Sequence, residues 1–544
     1  FARAGVTEFE VNPFVVVRGA DGSGSLVALD ALAKLGRIAG DELAVAPDGS
    51  VVNRAQASRP VDKIDRLLRP ASAAVIGVSE KGMNNGRIIL RNLIDNGFDR
   101  SRLYVVKPGC DEVDGVRCVP DVASLPEKVD LFVLSIPAAQ TPGCIAELAE
   151  KDKAEAVIVI PGGLEEKSGT EAIVGRMRDA IAASRGAKGR GPILNGGNCL
   201  GIRSVPGRYN TLFIPEYKLP MPSGKVDPVA FISQSGAFAI SRVSKHPDVN
   251  PKYLVTCGNQ MDVTVGDYLE RLADDEAIRL YAVYVEGFKP LDGLKTLRAV
   301  RRIVAGGRRV VFYRAGRTAA GAAASASHTA SIAGDYPVTR ALLRQAGAAV
   351  VESLDDFDDA LTLFTAFVGK EPGPRLGAVS NAGFECVAMA DNLGVMTLAE
   401  LSAAANERLA RVIDEAKVGE IVDIHNPLDI TPTGDDDAYV RSFEAIIGDG
   451  GVDVGLVGLV PLSGRINTLA AGAGHGEDVS RPGALPERLA ELFGRTAKPW
   501  VVVVDSGELY DPLARELSSR GVPTFRTADR ALRMLNLWLE AAVR

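Results

Sequence analysis

From about residue 71 the chain alternates short apolar runs with longer amphipathic stretches. The runs at 73–77, 103–106, 131–136 and 156–160 have the length of buried strands, and helical segments lie between them. Strand and helix in strict alternation predict a doubly wound parallel sheet over 70–195. The alternation recurs over 196–370, with strands at 229–233, 281–285 and 310–314. Glu371-Pro372-Gly373-Pro374 reads as a linker. A third unit of the same kind fills 375–544, with strands at 376–380, 454–459 and 500–505.

The pattern before this region is different. Residues 6–17 alternate as a strand, Gly19 to Gly24 form a turn, and 26–32 make a second strand, so 1–45 reads as a hairpin at the tail of a larger domain. In Glu8-Phe9-Glu10-Val11-Asn12-Pro13 the polar side chains share one strand face. Asp30 ends the second strand, and pairing would bring it near Asn12. Oxygen ligands of this kind suit Mg²⁺, and a solvated polar face is the other reading. The polar, proline-containing stretch 46–69 is expected to be a linker. The chain opens Phe1-Ala2-Arg3 with a strand almost at once, which reads as a fragment of something longer.

At 544 residues the chain needs three or four domains. Its 46% hydrophobic and 24% charged residues are a soluble balance, and a net charge of -7 argues against non-specific nucleic-acid binding. No apolar run has membrane-spanning length, so no membrane partner is expected. The six cysteines form no C-x-x-C pair, which fits reduced thiols in a cytoplasmic protein.

Four places carry candidate chemistry. In the first, Gly77, Ser79 and Gly86 lie between a strand end and a helix start, where glycine lets a phosphate approach the backbone and the helix dipole favours it. The loop has no Gly-Lys-Ser/Thr, so it is not a Walker A loop. The next strand ends in Lys107 where a dinucleotide fold wants an acid. A cation there suits an extra phosphate, such as the 3′-phosphate of CoA. In the second, Ser233-Gln234-Ser235-Gly236 is a strand–turn–helix junction that can cradle a phosphate, or simply cap a helix. In the third, Ser380-Asn381-Ala382-Gly383 is a similar junction. In the fourth, His328 sits in a loop of Ala, Gly and Ser, with little bulk to pack against and a nitrogen able to act as nucleophile. A carboxylate such as Glu286, at a strand end, would fix its tautomer.

These stretches together resemble the NDP-forming acyl-CoA synthetases, relatives of succinyl-CoA synthetase, over almost the whole chain. The Ser327-His328-Thr329 segment resembles the family's phosphohistidine loop, and Ser-Gln-Ser-Gly its phosphate-facing helix start. Gly77, Ser79, Gly86, Lys107, the Ser135-Ile136-Pro137 strand end and Pro161-Gly162-Gly163 match its CoA-binding domain. Asn198-Cys199-Leu200-Gly201-Ile202 resembles its Asn-Cys-x-Gly-Ile signature, with Gly196-Gly197 ahead of it in place of the usual Gly-Pro. Cys199 invites a nucleophile reading, but no histidine is near it in sequence, and a buried structural thiol fits better. Gly258-Asn259-Gln260-Met261-Asp262 resembles a loop near the acyl pocket, which makes Asn259 and Asp262 substrate candidates. The hairpin with Asn12 and Asp30 is similar to the closing strands of an ATP-grasp domain, where those residues would hold Mg²⁺. One departure stands out: Phe384-Glu385 replaces the usual Gly-Pro or Gly-Gly step and puts a negative charge near the supposed phosphate. His246, His425 and His475 match no motif.

The resemblance implies an α/β protein: an ATP-grasp remnant (1–45), a linker (46–69), a Rossmann-like CoA-binding domain (70–195) and two flavodoxin-like, succinyl-CoA synthetase-like domains (196–370 and 375–544). It implies ligation of a small carboxylic acid to CoA with ATP converted to ADP and phosphate, through an acyl phosphate and phosphohistidine at His328, in a homodimer. Rival readings are a catalytically inactive CoA- or acyl-CoA-binding regulator of the same fold, and an NAD(P)-dependent dehydrogenase.

Overall fold

The computed structural model of the chain describes residues 59–186, 191–329 and 335–543, preceded by six short strands. These are β1 (Val6–Val11), β2 (Phe14–Arg18), β3 (Gly24–Ala28), β4 (Ala31–Leu35), β5 (Leu43–Val45) and β6 (Val51–Asn53). β1 pairs antiparallel with β4, and β2 with β3, so the expected hairpin is two successive ladders. Asn12 and Asp30, expected to hold magnesium, lie outside the described residues.

The stretch 46–69, expected as a linker, contains β6 and a helix, Ile64–Leu68. Ile64, Leu67 and Leu68 are buried in a core that also holds Val75, Leu131, Ile202 and Tyr253. Apolar residues spaced i, i+3, i+4 put one face of even this short helix into the core. Just before it, Arg59 pairs with the buried Asp267 at 2.8 Å.

The first parallel sheet contains β7 (Ala73–Ile76), β8 (Leu103–Val106), β9 (Glu112–Val113), β10 (Val116–Val119), β11 (Val129–Leu134), β12 (Ala154–Val159) and β13 (Ile193–Gly196). Its order is β13-β12-β11-β7-β8-β10-β9, with β9 the antiparallel edge. The second contains β14 (Ile202–Ser204), β15 (Tyr209–Asn210), β16 (Asp227–Ser233), β17 (Pro251–Thr256), β18 (Leu280–Val285), β19 (Arg309–Arg314) and β20 (Ala349–Val351), in the order β15-β14-β17-β16-β18-β19-β20. The third contains β21 (Arg375–Ser380), β22 (Thr397–Leu398), β23 (Leu428–Asp429), β24 (Val454–Leu459), β25 (Trp500–Val504) and β26 (Thr524–Phe525). It runs β22-β21-β24-β25-β26, with β23 on β21. Val501 to Val504 are all fully buried, as a central strand covered on both faces requires.

Shared cores join the units. A second apolar core contains Phe231, Phe238 and Phe357 together with Leu456, Val501 and Trp538 of the third unit. Trp538, on the C-terminal helix Ala528–Val543, meets Phe367 edge-on at 5.1 Å.

Each sheet reverses its winding once: between β7 and β11, between β16 and β18, and between β21 and β24. Ligands in open α/β sheets bind outside the carboxyl ends of strands at such points. The three crevices coincide with three of the four places that sequence chemistry marked out.

Candidate active site at the sheet switch points

At the first crevice Gly77 has φ +92, and a side chain there would run into the Ser135 carbonyl at the end of β11. A Cβ at Gly86 would lie 2.5 Å from Gly77 O, so helix Asn85–Asp95 packs its first turn on the strand end. Only glycine allows that approach. Asn84 ties the turn together: its Nδ2 donates to Gly77 O at 2.7 Å, and its Oδ1 accepts from Arg87 N at 3.0 Å and Ser79 N at 3.2 Å. The Ser79 hydroxyl accepts from Gly82 N at 3.2 Å. Arg87 forks onto Asp114, whose carboxyl that hydrogen bond pulls down to about 2. Lys107 follows β8, the neighbour of β7, and Pro137 follows β11 and is exposed. Gly77, Ser79 and Gly86 therefore do converge, and Pro137 lies two residues beyond the Ser135 carbonyl that Gly77 faces. Lys107 flanks them and makes no ion pair among the described residues.

At the second crevice Ser235 caps helix Gly236–Lys245, its Oγ accepting from Phe238 N at 3.3 Å. Ser233 Oγ donates to Ser235 O at 2.6 Å. The residue between them closes the crevice. Gln234 N donates to Tyr284 O at 2.9 Å, and its Oε1 accepts from Glu286 N at 2.8 Å and Gly287 N at 3.1 Å. Glu286, 6% exposed, is thus locked beside the Ser235 turn. Tyr284 donates its hydroxyl to Glu286 Oε1 at 3.2 Å, and Arg314 Nη1 donates to Glu286 O at 2.6 Å. Burial lowers the basicity of Arg314. Gln260 Nε2 donates to Gly287 O at 3.1 Å.

His328 lies in a helix, Ala319–Thr329, and not in the loop expected for it. Alanine is the best helix former, and five alanines between 319 and 324 outweigh the single Gly321. Thr318 starts the helix by accepting from Gly321 N at 3.1 Å. The side chain of His328 lies outside the described residues. The root of its helix does not: Gly316, two residues after Arg314, packs under Ala322 and the buried Ser325.

The third junction differs. Helix Gly383–Asp391 has no side-chain cap. Asn381 instead bridges the switch point, donating to Val460 O at 2.9 Å and accepting from Val460 N at 3.0 Å. Gly383 is exposed at the helix start. Glu385 does not face that start as a free charge. It is fully buried, turned toward Gly458, and accepts from Ser380 Oγ at 2.5 Å. Burial pushes its carboxyl up to about 7. The exposed residue of the pair is Phe384.

Between the first two crevices three loops interlace. Cys257 N donates to Ser233 O at 2.8 Å, Gly258 N to Gln234 O at 3.0 Å, and Asn259 N to Gly197 O at 2.8 Å. Asn198 is exposed in this junction with φ +51. Cys199 is not available to CoA: its buried Sγ lies 3.4 Å from Val159 O, and burial pushes the thiol up to about 12. Asp262 is not free for substrate either, because it pairs with Arg185 at 2.7 Å and accepts from Leu194 N at 2.9 Å. Asn259 is buried and donates to Glu166 Oε2 at 2.5 Å. Glu166 also accepts from Gly163 N, which links the Pro161-Gly162-Gly163 turn to the second unit. Glu165 reinforces that link through Lys289 at 2.8 Å. Gln234, Glu166, Tyr284 and Arg314 escaped the sequence reading. The central Gln of Ser-Gln-Ser was visible, but nothing in the sequence paired it with Glu286.

A CoA binding domain family matches residues 71–204, and a succinyl-CoA ligase like flavodoxin domain family matches 226–364. The ADP-forming acetate–CoA ligase I of Archaeoglobus fulgidus is 31% identical over 87% of this chain, and the chain spans 63% of that relative's length. The alpha subunit of the ADP-forming acetate–CoA ligase II of Pyrococcus furiosus is 27% identical over 86% of the chain, which spans 95% of it. Among solved structures, the dinucleotide forming acetyl-coenzyme A synthetase 1 of Ca. Korarchaeum cryptofilum, in complex with phosphate and ADP, superimposes with a TM-score of 0.74 at 26% identity, over 88% of this chain and 97% of that one. The chain belongs to the NDP-forming acyl-CoA synthetase family, within the succinyl-CoA synthetase-like superfamily.

Proposed function

We propose that the chain carries the acyl-CoA and phosphohistidine chemistry of an ADP-forming acid–CoA ligase: acid + CoA + ATP ⇌ acyl-CoA + ADP + phosphate. The observation that carries this reading is the second switch point. There a capped helix start and a locked carboxylate, Glu286, stand beside the root of the His328 helix. Glu286 accepts a hydrogen bond from the proton-bearing nitrogen of His328 and leaves the other nitrogen nucleophilic. In synthesis His328 takes the γ-phosphoryl group of ATP, and ADP leaves. The acid's carboxylate attacks that phosphorus, and the acyl phosphate forms as the P–N bond breaks. The CoA thiolate then attacks the acyl carbon, and inorganic phosphate leaves. The Ser235 hydroxyl, Gly236 and the free N–H groups of that helix start hold the phosphate between these steps, with Gly383 at the third junction. Ser233 and Asn381, buried and bonded to backbone, shape the two turns instead of touching phosphate. Catalysis here is positioning and charge stabilisation.

We assign CoA to the Gly77, Ser79, Gly86 and Pro137 crevice, with Asn198 at its thioester end. Lys107 is placed for the 3′-phosphate. We further assign residues 1–45 to an ATP-grasp domain, in which Asn12 and Asp30 would hold Mg²⁺, an ion that screens nucleotide phosphate charge when bound. Paired chains and a cytoplasmic setting belong to the same reading. Acetate, the acid named for the two ligase relatives above, is the first to test.

The test uses ³²P-labelled acetyl phosphate, which can reach His328 without nucleotide. The expected product is an acid-labile, base-stable phosphoprotein whose label CoA and acetate deplete. A protein left unlabelled by acetyl phosphate and by labelled ATP with Mg²⁺ overturns the reading. The CoA assignment has its own check. Lys107→Ala should weaken CoA roughly tenfold, the scale of one charge-assisted contact, and leave 3′-dephospho-CoA unchanged. Equal weakening of both ligands by calorimetry removes Lys107 from the phosphate.

A further inference from the structure

We propose that Tyr284 is a positioning residue that couples the phosphate cradle to the orienting carboxylate of the phosphoryl-transfer site. The inference rests on the reading of Glu286 and His328 given above.

Tyr284 is the penultimate residue of β18, and each part of it touches a different half of the site. Its hydroxyl donates to Glu286 Oε1 at 3.2 Å. Its backbone oxygen accepts from Gln234 N at 2.9 Å. Its ring stacks on Phe238, with centroids 3.9 Å apart and planes 22° from parallel. Phe238 is the residue whose N–H caps onto Ser235, so the ring contact bears on the first turn of the cradle helix. Tyr313 lies beside Tyr284, with ring centroids 5.5 Å apart, and itself meets Phe238 at 6.1 Å. Tyr313 precedes Arg314, which reaches back to Glu286 O and leads through Gly316 to the His328 helix. One side chain therefore sits against the cradle, the carboxylate and the strand that delivers the histidine.

The physical consequence separates hydroxyl from ring. A hydrogen bond on Oε1 fixes the carboxylate's rotation, and a carboxylate of fixed rotation fixes the imidazole that donates to it. The hydroxyl thus acts on the nucleophile's orientation. The ring supports Phe238 and hence the helix start that holds phosphate.

Tyr284→Phe removes one atom and keeps the stack. It should slow His328 phosphorylation by acetyl phosphate roughly tenfold, the scale of one hydrogen bond to a charged group, with KM for phosphate in thioester phosphorolysis unchanged. Nitrogen-15 spectra of labelled histidines, assigned with His328→Ala, should show the His328 tautomer population shifting toward the mixture of free imidazole. Tyr284→Leu should reproduce the slow phosphorylation and also raise KM for phosphate roughly fivefold. Wild-type labelling with Tyr284→Phe at the wild-type rate and an unmoved tautomer signal overturns this inference while leaving the proposed function standing. A KM for phosphate that rises equally in both variants also overturns it, because hydroxyl and ring would then have no separate roles. Absence of label in the wild type is the failure of the proposed function itself.

Discussion

Alanine at position 328 should abolish the phosphoprotein and lower ATP-coupled thioester synthesis by about 10³-fold or more, while sparing one half-reaction. The spared step is exchange between acyl-CoA plus phosphate and acyl phosphate plus CoA. It breaks a C–S bond and forms a C–O bond, and the imidazole is needed for neither. The required groups are those of the first two crevices: the Gly77 and Gly86 turn, the Asn198 junction and the Ser235 cradle. Incorporation of ³²P-phosphate into acetyl phosphate in the presence of acetyl-CoA measures this step alone. We expect it within about threefold of the wild-type rate, since the substitution removes no phosphate-binding group of the cradle. Persistent label in His328→Ala would move the nucleophile elsewhere. Loss of the exchange together with the label, in a protein of unchanged stability, would show that the imidazole also binds the phosphate.

Much of the architecture was legible because parallel sheets announce themselves. Their strands are covered on both faces and read as continuous apolar runs, as in Val501 to Val504 and Val454 to Leu459. The crevices followed from connectivity, which places Ser233 and Glu286 on neighbouring strand ends. Three readings went astray where a local pattern was outvoted. The helix Ile64–Leu68 was hidden in a polar stretch because only one turn of it is apolar, and its burial comes from partners far along the chain, such as Tyr209 and Ser204. The small residues around His328 suggested a loop, yet alanine's smallness is also what makes it helical. Asp262 matched a substrate-loop motif, but Arg185 holds it, and no spacing rule connects residues so far apart. Gln234 and Tyr284 were invisible for the same reason: their roles exist only once β16 lies beside β18.

Glu385→Gln should stabilise the protein by about 2 kcal/mol near pH 8.5 and destabilise it by about 1 kcal/mol near pH 4. The carboxyl is fully buried, and its Oε1 has no hydrogen-bond partner among the described residues. The lack of a Cβ at Gly458 is what admits it, since any side chain there would meet the carboxylate. Burial, aided by the negative field of Asp505 and opposed by the Ser380 hydroxyl, raises the group from 4.5 to about 7. The sign follows from proton counting. Below 4.5 the carboxyl is protonated in both folded and unfolded chains, and its contribution is intact. Between 4.5 and about 7 the unfolded chain ionises first, so the folded state holds the extra proton and loses stability as pH rises. Above about 7 the loss is complete, at about 3 kcal/mol for a shift of this size. Glutamine removes that loss but leaves an amide N–H₂ in place of Oε1, which returns about 1 kcal/mol of it. Denaturant unfolding of both proteins across this pH range measures the difference directly. A pH-independent difference would mean that the carboxyl is not held protonated in the folded state. The same titration bears on the third switch point. Near neutrality the helix start at Gly383 has beneath it a carboxyl that is part neutral, and a phosphate arriving there meets less negative charge than the residue type implies.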